Sequence, residues 1–383
     1  MNPTDRDRGR DLDTLLEALT AVPGLSGHES DMADCLTEQL GPLVDSHWRD
    51  PMGNWLGRRA PRPEPATGAA PATGAAPATG AAPAPRLLLS AHMDAIGFMV
   101  TAVEDGGFLR FTGLGGWDPR LLLAQPVTVL GARPLPGVVG SRPPHVLGPE
   151  LSGKVLPPDE LFIDVGLPEA EVRAAVRVGD VIAPRRPLQR LQGRRRAGRA
   201  LDNRASLAAL ILAMDLLARR EHQAEILLLA TVQEEVGLRG ARPGVWELEA
   251  DAAVVLDVTF AVQTGVSDVP GSLGGGPLIG VGPNMHPVIE RRLRQLAAAA
   301  ELKHGREPLA GPSGTDAWAF QVAAAGLPTG LISVPIRYMH SPVETVDLTD
   351  IERAGRLLAD FAAAFDAALV DDLVGELHGV TED

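Results

Sequence analysis

Residues 188–383 alternate short, almost uninterrupted apolar runs with longer segments of helical apolar spacing. The runs include EILLLATV, DAAVVLDV and PTGLISVP, and the segments include NRASLAALILAMDLLARR and HPVIERRLRQLAAAAEL. Strands that are apolar on both faces are typical of sheets covered by helices, and parallel pairing needs the crossovers that such helices supply. The pattern therefore predicts an α/β domain with a mixed, mostly parallel sheet flanked by helices.

Residues 98–187 interrupt this pattern with short strands and turns rich in glycine and proline. GFLRFTGLGG, QPVTVLGA and ELFIDVGL have strand character, and a helical pattern, PEAEVRAAV, comes only near the end of the range. We expect a small β-rich subdomain here. The predicted organisation is one domain formed by residues 1–97 and 188–383, with residues 98–187 inserted between its two parts.

The segment before the insertion contains two predicted helices and a low-complexity repeat. Residues 12–19 have helical spacing, and Ser26 is expected to cap a second helix that runs through Met32 to Leu40. Residues 66–85 repeat alanine, proline, threonine and glycine, so they cannot bury enough apolar area to offset their ordering entropy. We interpret them as a surface loop inside the domain.

Composition and charge exclude several classes of partner. The formal charge of -14 and the 4% aromatic content argue against a nucleic-acid surface, which needs clustered cations. The arginine-rich run at residues 194–199 is interpreted as a solvated loop.

No apolar run approaches the roughly 20 residues that span a bilayer. Cys35 is the only cysteine, which excludes an intrachain disulfide, and we expect a cytoplasmic protein.

Ligand-type side chains occur at the junctions of the predicted strands and helices. They are His92, Asp94, Asp202, Glu234, Glu235, Asp257 and His340. Each has a plain structural explanation when taken alone, such as a helix N-cap for Asp202 or a hydrogen-bonded structural histidine for His92. Because functional residues of open α/β sheets gather beyond the carboxyl ends of strands, the whole set predicts one site.

Two imidazoles and several carboxylates without a thiolate suit Zn²⁺, Co²⁺ or Mn²⁺ better than Ca²⁺ or a structural zinc site. If two ions share a bridging carboxylate, five protein ligands suffice for both. One member of the adjacent pair Glu234 and Glu235 is then left unliganded beside the reacting water. That position suits a general base.

Several motifs, in this order along the chain, resemble the M42 family of dinuclear metallo-aminopeptidases. They are SAHMDAIGFMV, ALDNRAS, VQEEVGLRGA, VVLDVTF, SGTDAWAF and RYMHSPVETVDLTDIE. These are the TET-type aminopeptidases, and the family also contains proteins labelled endoglucanase M. GLGGWDPRLL and GVVGSRPPH resemble the family's inserted dimerisation subdomain, which has a PDZ-like fold.

The resemblance implies five metal ligands, arranged as two pairs around a bridge: His92 with Asp257, Glu235 with His340, and Asp202 between them. It also implies that Glu234 is the general base and that Asp94 orients the His92 ring. A cis peptide bond is expected between Asp202 and Asn203. Ala95 departs from the family, which often has an acidic residue at that position.

The implied activity is hydrolysis of N-terminal residues from short peptides, with two divalent ions per subunit, Zn²⁺ or Co²⁺ before Mn²⁺. The resemblance further implies self-association through the inserted subdomain, commonly into a dodecamer. Alternatives are an endoglucanase-type glycoside hydrolase, a related dinuclear deacylase or carboxypeptidase, and a scaffold without turnover. A glycosidase needs two carboxyls but not two histidines, and aromatic sugar platforms would be expected in it.

Overall fold

The computed structural model describes residues 11–62, 83–148, 150–151 and 153–375, so most of the predicted loop at 66–85 lies outside the described residues. The helices are α1 (Leu12–Ala21), α2 (Ser30–Leu40), α3 (Glu169–Ala175), α4 (Leu201–Leu217), α5 (Ala241–Leu248), α6 (Pro287–Ala299), α7 (Asp316–Gln321), α8 (Leu348–Ala363) and α9 (Ala367–Gly375). The strands are β1 (Ser46–Arg49), β2 (Trp55–Arg59), β3 (Arg86–His92), β4 (Gly97–Val103), β5 (Leu109–Leu114), β6 (Pro126–Leu130), β7 (Pro134–Ser141), β8 (Leu161–Asp164), β9 (Val181–Pro184), β10 (Gln189–Arg190), β11 (Arg195–Gly198), β12 (Glu225–Thr231), β13 (Ala252–Phe260), β14 (Leu278–Val281), β15 (Gly305–Pro308), β16 (Thr329–Arg337) and β17 (Glu344–Asp347).

The larger sheet is mixed, with a parallel centre. Its strand order is β1-β2-β12-β3-β13-β16-β17-β11-β10, and β14 and β15 are attached beside β16. The four strands β12, β3, β13 and β16 pair in parallel, whereas the strands on either flank pair antiparallel. The predicted mixed α/β sheet is confirmed, but it is only partly parallel, because six of the ten strand pairings among the described residues are antiparallel. Parallel pairing is concentrated at the centre, where the near-continuous apolar runs are buried on both faces.

Helices cover both faces of this sheet. One face carries α1, α2, α4, α6, α8 and α9, which share a core cluster, and α5 and α7 contribute to the cluster on the other face. α4 contacts α1, α8 and three central strands, so it is buried on nearly all sides. An all-round apolar helix is expected at such a position. Within the described residues, no helix is long and apolar enough to cross a membrane.

The inserted subdomain is a closed antiparallel barrel of six strands in the order β4-β5-β8-β7-β6-β9. Its own apolar core includes Phe98, Phe111, Val127, Val139 and Ile163. Closure leaves no unpaired sheet edge, which stabilises a small β unit against association through strand edges. The predicted inserted β-rich subdomain is confirmed, and its PDZ-like character stays a prediction.

The N-cap predicted at Ser26 is wrong. α2 begins at Ser30 with Glu29 at the N-cap position. The Ser26 hydroxyl instead donates to Asp94 Oδ2 at 2.6 Å, a residue 68 positions away in sequence. A short-range capping pattern could not reveal this partner, because the contact exists only once the sheet has formed.

The arginine-rich run is not a solvated loop. Part of it forms β11, and Arg196 and Arg199 are buried. Arg196 is paired with the carboxylate of Asp13, and Arg199 donates to the backbone carbonyls of Thr20, Val22 and Pro23. Arg196 and Arg199 therefore hold α1 and the residues after it against the sheet, and both guanidinium groups have their partners inside the fold.

Candidate metal centre

The candidate centre lies at the carboxyl ends of the parallel strands. His92 is the last residue of β3 and lies in register with Thr231, the last residue of β12. Asp257 is near the end of β13, and His340 follows β16 by three residues. Parallel strands bring their carboxyl ends to one edge of the sheet, so residues far apart in sequence converge there.

Asp94 holds the adjacent glutamates in a turn. Its Oδ1 accepts the backbone N–H of Glu234 at 2.9 Å, and its Oδ2 accepts that of Glu235 at 3.2 Å. The chain leaves strand geometry just before them, at Gln233, which has a positive φ of 55°. Both glutamate side chains consequently line the same cavity, whereas alternation in a continuous strand would send them to opposite faces.

Asp202 is positioned by the start of α4 and by Glu344. The expected cis peptide bond joins Asp202 to Asn203. Glu344 is fully buried, and its Oε2 accepts the Asp202 N–H at 3.1 Å while its Oε1 accepts the His340 N–H at 2.9 Å. One carboxylate therefore sets the backbone positions of two predicted ligands.

The five predicted ligands form two groups that share Asp202. In the first, His92 Nε2 lies 3.1 Å from Asp202 Oδ1 and 3.8 Å from Asp257 Oδ1. In the second, His340 Nε2 lies 3.4 Å from Asp202 Oδ2 and 3.3 Å from Glu235 Oε2. In each group the three ligand atoms lie within 4.8 Å of one another. The two oxygens of Asp202 thus face different groups, as a bridging carboxylate requires.

The other two predicted residues lie next to the first group. Glu234 Oε2 is 3.9 Å from His92 Nε2, and Glu234 belongs to neither group of three. Asp94 Oδ1 is 3.4 Å from Nδ1, the opposite nitrogen of the same ring. The structure therefore brings together all seven residues predicted from the sequence.

The concentration of buried carboxylates shifts the pKa values of the centre strongly. Burial and the carboxylate of Asp257 raise the pKa of Glu234, against the opposing effect of His92. Burial alone would lower the pKa of His92, but the surrounding carboxylates, Glu234 foremost, raise it well above its ordinary value. Hydrogen bonds to Asp202 and Glu235 raise the pKa of His340 to about 11. Such an arrangement stabilises cations.

The residues present fit divalent ions. Ligands at 2.0–2.2 Å from one tetrahedral ion lie about 3.3–3.6 Å apart, close to the distances within each group. The donors are imidazole nitrogens and carboxylate oxygens, which suit Zn²⁺, Co²⁺ and Mn²⁺. Among the described residues, Glu235 Oε1 is buried without a hydrogen-bond partner. A buried oxygen left without a donor is costly unless a cation satisfies it.

Residues 74–357 match the family described as M42 glutamyl aminopeptidase. The chain belongs to the M42 family. The resemblance carried by the motifs is thereby confirmed, and this M42 aminopeptidase is a hydrolase that acts on peptide bonds.

Known relatives cover this M42 aminopeptidase almost from end to end. It is 34% identical to a lysyl aminopeptidase of Pyrococcus furiosus over 90% of this chain and 94% of that protein. An aminopeptidase of the archaeon Desulfurococcus kamchatkensis is similar in structure, with a TM-score of 0.84, 32% identity, and coverage of 97% of this chain and 99% of that one. The Pyrococcus horikoshii TET1 peptidase, which can assemble into a tetrahedron or a large octahedral shell, is also similar in structure. Its TM-score is 0.78 at 30% identity, with coverage of 93% of this chain and 100% of that one.

Two buried acids of the M42 centre were not singled out from the sequence. Glu344 lies in the motif HSPVET, and Asp316 lies in SGTDAWAF, where it accepts the Thr231 hydroxyl. Burial raises the pKa of Asp316 to about 6. Both positions could have been suspected, because each acid falls within a family motif. Their partners could not, because Thr231 and Asp202 are distant in sequence.

A cavity of about 600 Å³ opens from the centre and includes all five predicted ligands and Glu234 in its lining. The inserted barrel reaches a neighbouring cavity of about 570 Å³, where Gly116 and Trp117 face His340. A side-chain carbon at Gly116 would lie only 3.2 Å from His340 Nδ1, so glycine permits this close approach. The barrel therefore forms part of the surroundings of the more exposed ligand group.

Proposed function

We propose that this aminopeptidase removes N-terminal residues from short peptides with two divalent ions per subunit, Zn²⁺ or Co²⁺ before Mn²⁺. The observation that carries the proposal is the pair of three-residue groups that share Asp202. His92 and Asp257 would hold one ion, Glu235 and His340 the other. When bound, such ions lower the pKa of a coordinated water and polarise the scissile carbonyl.

In this proposal Glu234 is the proton carrier. Its side chain lines the cavity and belongs to neither ligand group, so it is available to a water molecule that attacks the peptide carbonyl. Glu234 takes the proton of that water and delivers it to the leaving amine. Asp94, facing Nδ1 of His92, keeps the ring oriented with Nε2 toward the centre.

We also propose self-association through the inserted barrel, into a closed homo-oligomer such as a dodecamer. The barrel region exposes several large apolar side chains, Leu123, Val138, Val146 and Val155. Exposed apolar groups of this kind mark association surfaces when they are contiguous. On sequence grounds alone we place the protein in the cytoplasm.

The proposal is tested by stripping the protein with a chelator and reloading it separately with Zn²⁺, Co²⁺ and Mn²⁺. Aminoacyl p-nitroanilides and N-acyl amino acids are then offered as alternative substrates. We expect hydrolysis of the anilides, loss of that activity on chelation, and recovery on reloading. Cleavage of only the N-acyl amino acids would replace the aminopeptidase proposal with the deacylase alternative.

The base role is tested by Glu234→Gln. Because this change removes the proton acceptor and leaves all five proposed ligands, kcat should fall by about 10²- to 10⁴-fold while metal content stays at the wild-type level. Elemental analysis and steady-state kinetics measure the two quantities. Glu38→Gln, at an exposed position of α2, is the matched control. Wild-type turnover by the Glu234→Gln variant would remove Glu234 from the mechanism.

A further inference from the structure

The cavity of the metal centre contains a further acid that is neither a proposed ligand nor the proposed base. Glu307, on β15, is buried and lines the same cavity of about 600 Å³ without belonging to either ligand group. Thr259 donates its hydroxyl hydrogen bond to Oε1, and Ser333 donates to Oε2 at 2.6 Å. The carboxylate is thus held in place by two neutral side chains.

The sheet places this acid beside the proposed catalytic site. Asp257 and Thr259 are two residues apart on β13, so they project from the same face. Ser333 of β16 is the parallel register partner of Asp257 and projects from that face as well. The two hydroxyls that hold Glu307 therefore share a surface with a proposed metal ligand, and the cavity connects them.

Glu307 has no counter-charge within the fold. Among the described residues, no lysine, arginine or histidine nitrogen lies within 4.0 Å of its oxygens. A carboxylate offers roughly four acceptor positions, and the two hydroxyls use two of them. The hydroxyl oxygens themselves can still accept. The part of the cavity beside Glu307 can consequently receive the several N–H donors of an ammonium or guanidinium group.

The cavity that holds this acid also has apolar residues in its lining. They include Leu309, Leu331 and Met339, with Phe260 nearer the surface. A cavity that offers apolar side chains together with a carboxylate is complementary to a long aliphatic stem with a cationic tip. Lysine and arginine have that shape and charge. An acidic side chain would meet like charge, and a purely apolar one would cover the remaining acceptor positions of the carboxylate without supplying a donor.

We propose that this cavity binds the side chain of the substrate's N-terminal residue and that Glu307 selects lysine or arginine there. The inference rests on the proposed peptidase function for its catalytic consequence. Glu307 is a specificity-determining residue, since it contacts the substrate side chain and not the reacting atoms. Thr259 and Ser333 fix the direction of its carboxylate.

The first test compares Lys-, Arg-, Leu- and Glu-p-nitroanilide with the metal-loaded wild-type enzyme and with Glu307→Gln. We expect the basic substrates to have the highest wild-type kcat/KM. Glu307→Gln should lower their kcat/KM by about 30-fold or more, the low end of the cost of losing one partner of a buried charge pair. The Leu substrate should change by less than about twofold, since it makes no charge contact with Glu307.

Glu301→Gln, at an exposed position after α6, is the matched control and should leave all four substrates unchanged. A wild-type preference for the Leu or Glu substrate would overturn the inference. Equal losses for all four substrates in Glu307→Gln would do the same, because they would indicate a purely structural role.

The second test needs neither a variant nor turnover. Free lysine and norleucine have the same aliphatic stem, and norleucine lacks the ammonium group. Titration calorimetry on the metal-loaded wild-type protein should show lysine binding at least about tenfold more tightly, a difference of one well-placed charged contact. Equal affinities would refute the role of Glu307. If no anilide is cleaved, the peptidase proposal fails. The binding comparison then still tests whether the cavity prefers a side chain with a cationic tip.

Discussion

The two ligand groups of the centre differ in burial. His92, Asp202 and Asp257 are all buried, whereas His340 of the second group is partly exposed. The His92 side chain is 1% exposed and the His340 side chain is 39% exposed. The first group is buried within the α/β domain, and His340 of the second group faces the cavity bordered by the barrel.

The groups also differ in what fixes them. His92 and Asp257 lie within hydrogen-bonded parallel strands, so the sheet sets their positions. His340 lies outside a strand with a positive φ of 59°, and its N–H is held by the Glu344 side chain. Ligands fixed by a sheet ladder move less than ligands fixed by single side-chain contacts. We therefore expect the exposed half to exchange its ion more readily.

The largest effect on metal content and activity is expected at Asp202, which the two ligand groups share. Asp202→Asn removes an anionic side chain that faces both groups, so both ions should be lost and kcat should fall by about 10³-fold or more. Elemental analysis of the purified variant and anilide hydrolysis measure this. A variant that retains two ions per chain would show that Asp202 does not bridge.

The difference between the two ligand groups is tested most directly by removing one histidine from each group. His92→Ala leaves several buried carboxylates facing each other, and we expect it to lower the free energy of unfolding by about 3 kcal/mol or more. His340→Ala, at a partly exposed site, should cost less than about 1 kcal/mol while releasing one ion. Denaturant unfolding and metal content measure both quantities. Equal destabilisation by the two variants would contradict the assignment of a rigid and a loose half.

A smaller effect is expected from Glu344→Gln, which keeps the size of the side chain but gives one of the two backbone N–H groups a donor in place of an acceptor. The position of His340 should loosen, and affinity for the ion of the exposed half should fall about 10- to 100-fold, as for other residues that orient ligands. Competition with a fluorescent chelator measures this. If the ion of the buried half is weakened first, Glu344 acts mainly through Asp202.

A smaller effect on stability than that of His92→Ala concerns a buried carboxylate outside the centre. Asp350 accepts backbone N–H groups from Gly274 and Gly276, and burial raises its pKa to about 6. The folded state therefore holds a proton that the unfolded chain releases near pH 4, so wild-type stability should fall as pH rises from 4 to 6. Relative to Asp350→Asn, we expect a loss on the order of 2 kcal/mol between pH 4 and 7. If the free energy of unfolding depends on pH in the same way in the wild type and in Asp350→Asn, this prediction is contradicted.

Features that depend on local pattern could be predicted from the sequence. The runs around Leu228 and Val255 are apolar without interruption, and they form central parallel strands. The segment from Leu201 to Leu217 has helical composition, and it forms α4. Seven ligand-type residues stood out because they lie at the junctions of such elements, and motif resemblance divided them into roles. All seven lie at one centre in the structure.

Features that depend on distant partners could not be predicted. Ser26 has the local signature of an N-cap, but its hydroxyl is taken by Asp94. The arginine-rich run has the composition of a solvated loop, but Arg196 and Arg199 are bound by α1 and by the residues that follow it. Glu307 carries no local signal at all, because the cavity around it is assembled from β13, β15 and β16.

The sequence by itself determined the class of fold and the chemical kind of the centre, because apolar periodicity is local and ligand chemistry belongs to each side chain. Only the tertiary structure decided which acids serve the centre and how. Glu344 reaches Asp202 across 142 positions, and Glu307 meets Thr259 across 48. A buried carboxylate takes its function from the donors and charges around it, and folding alone brings those into contact.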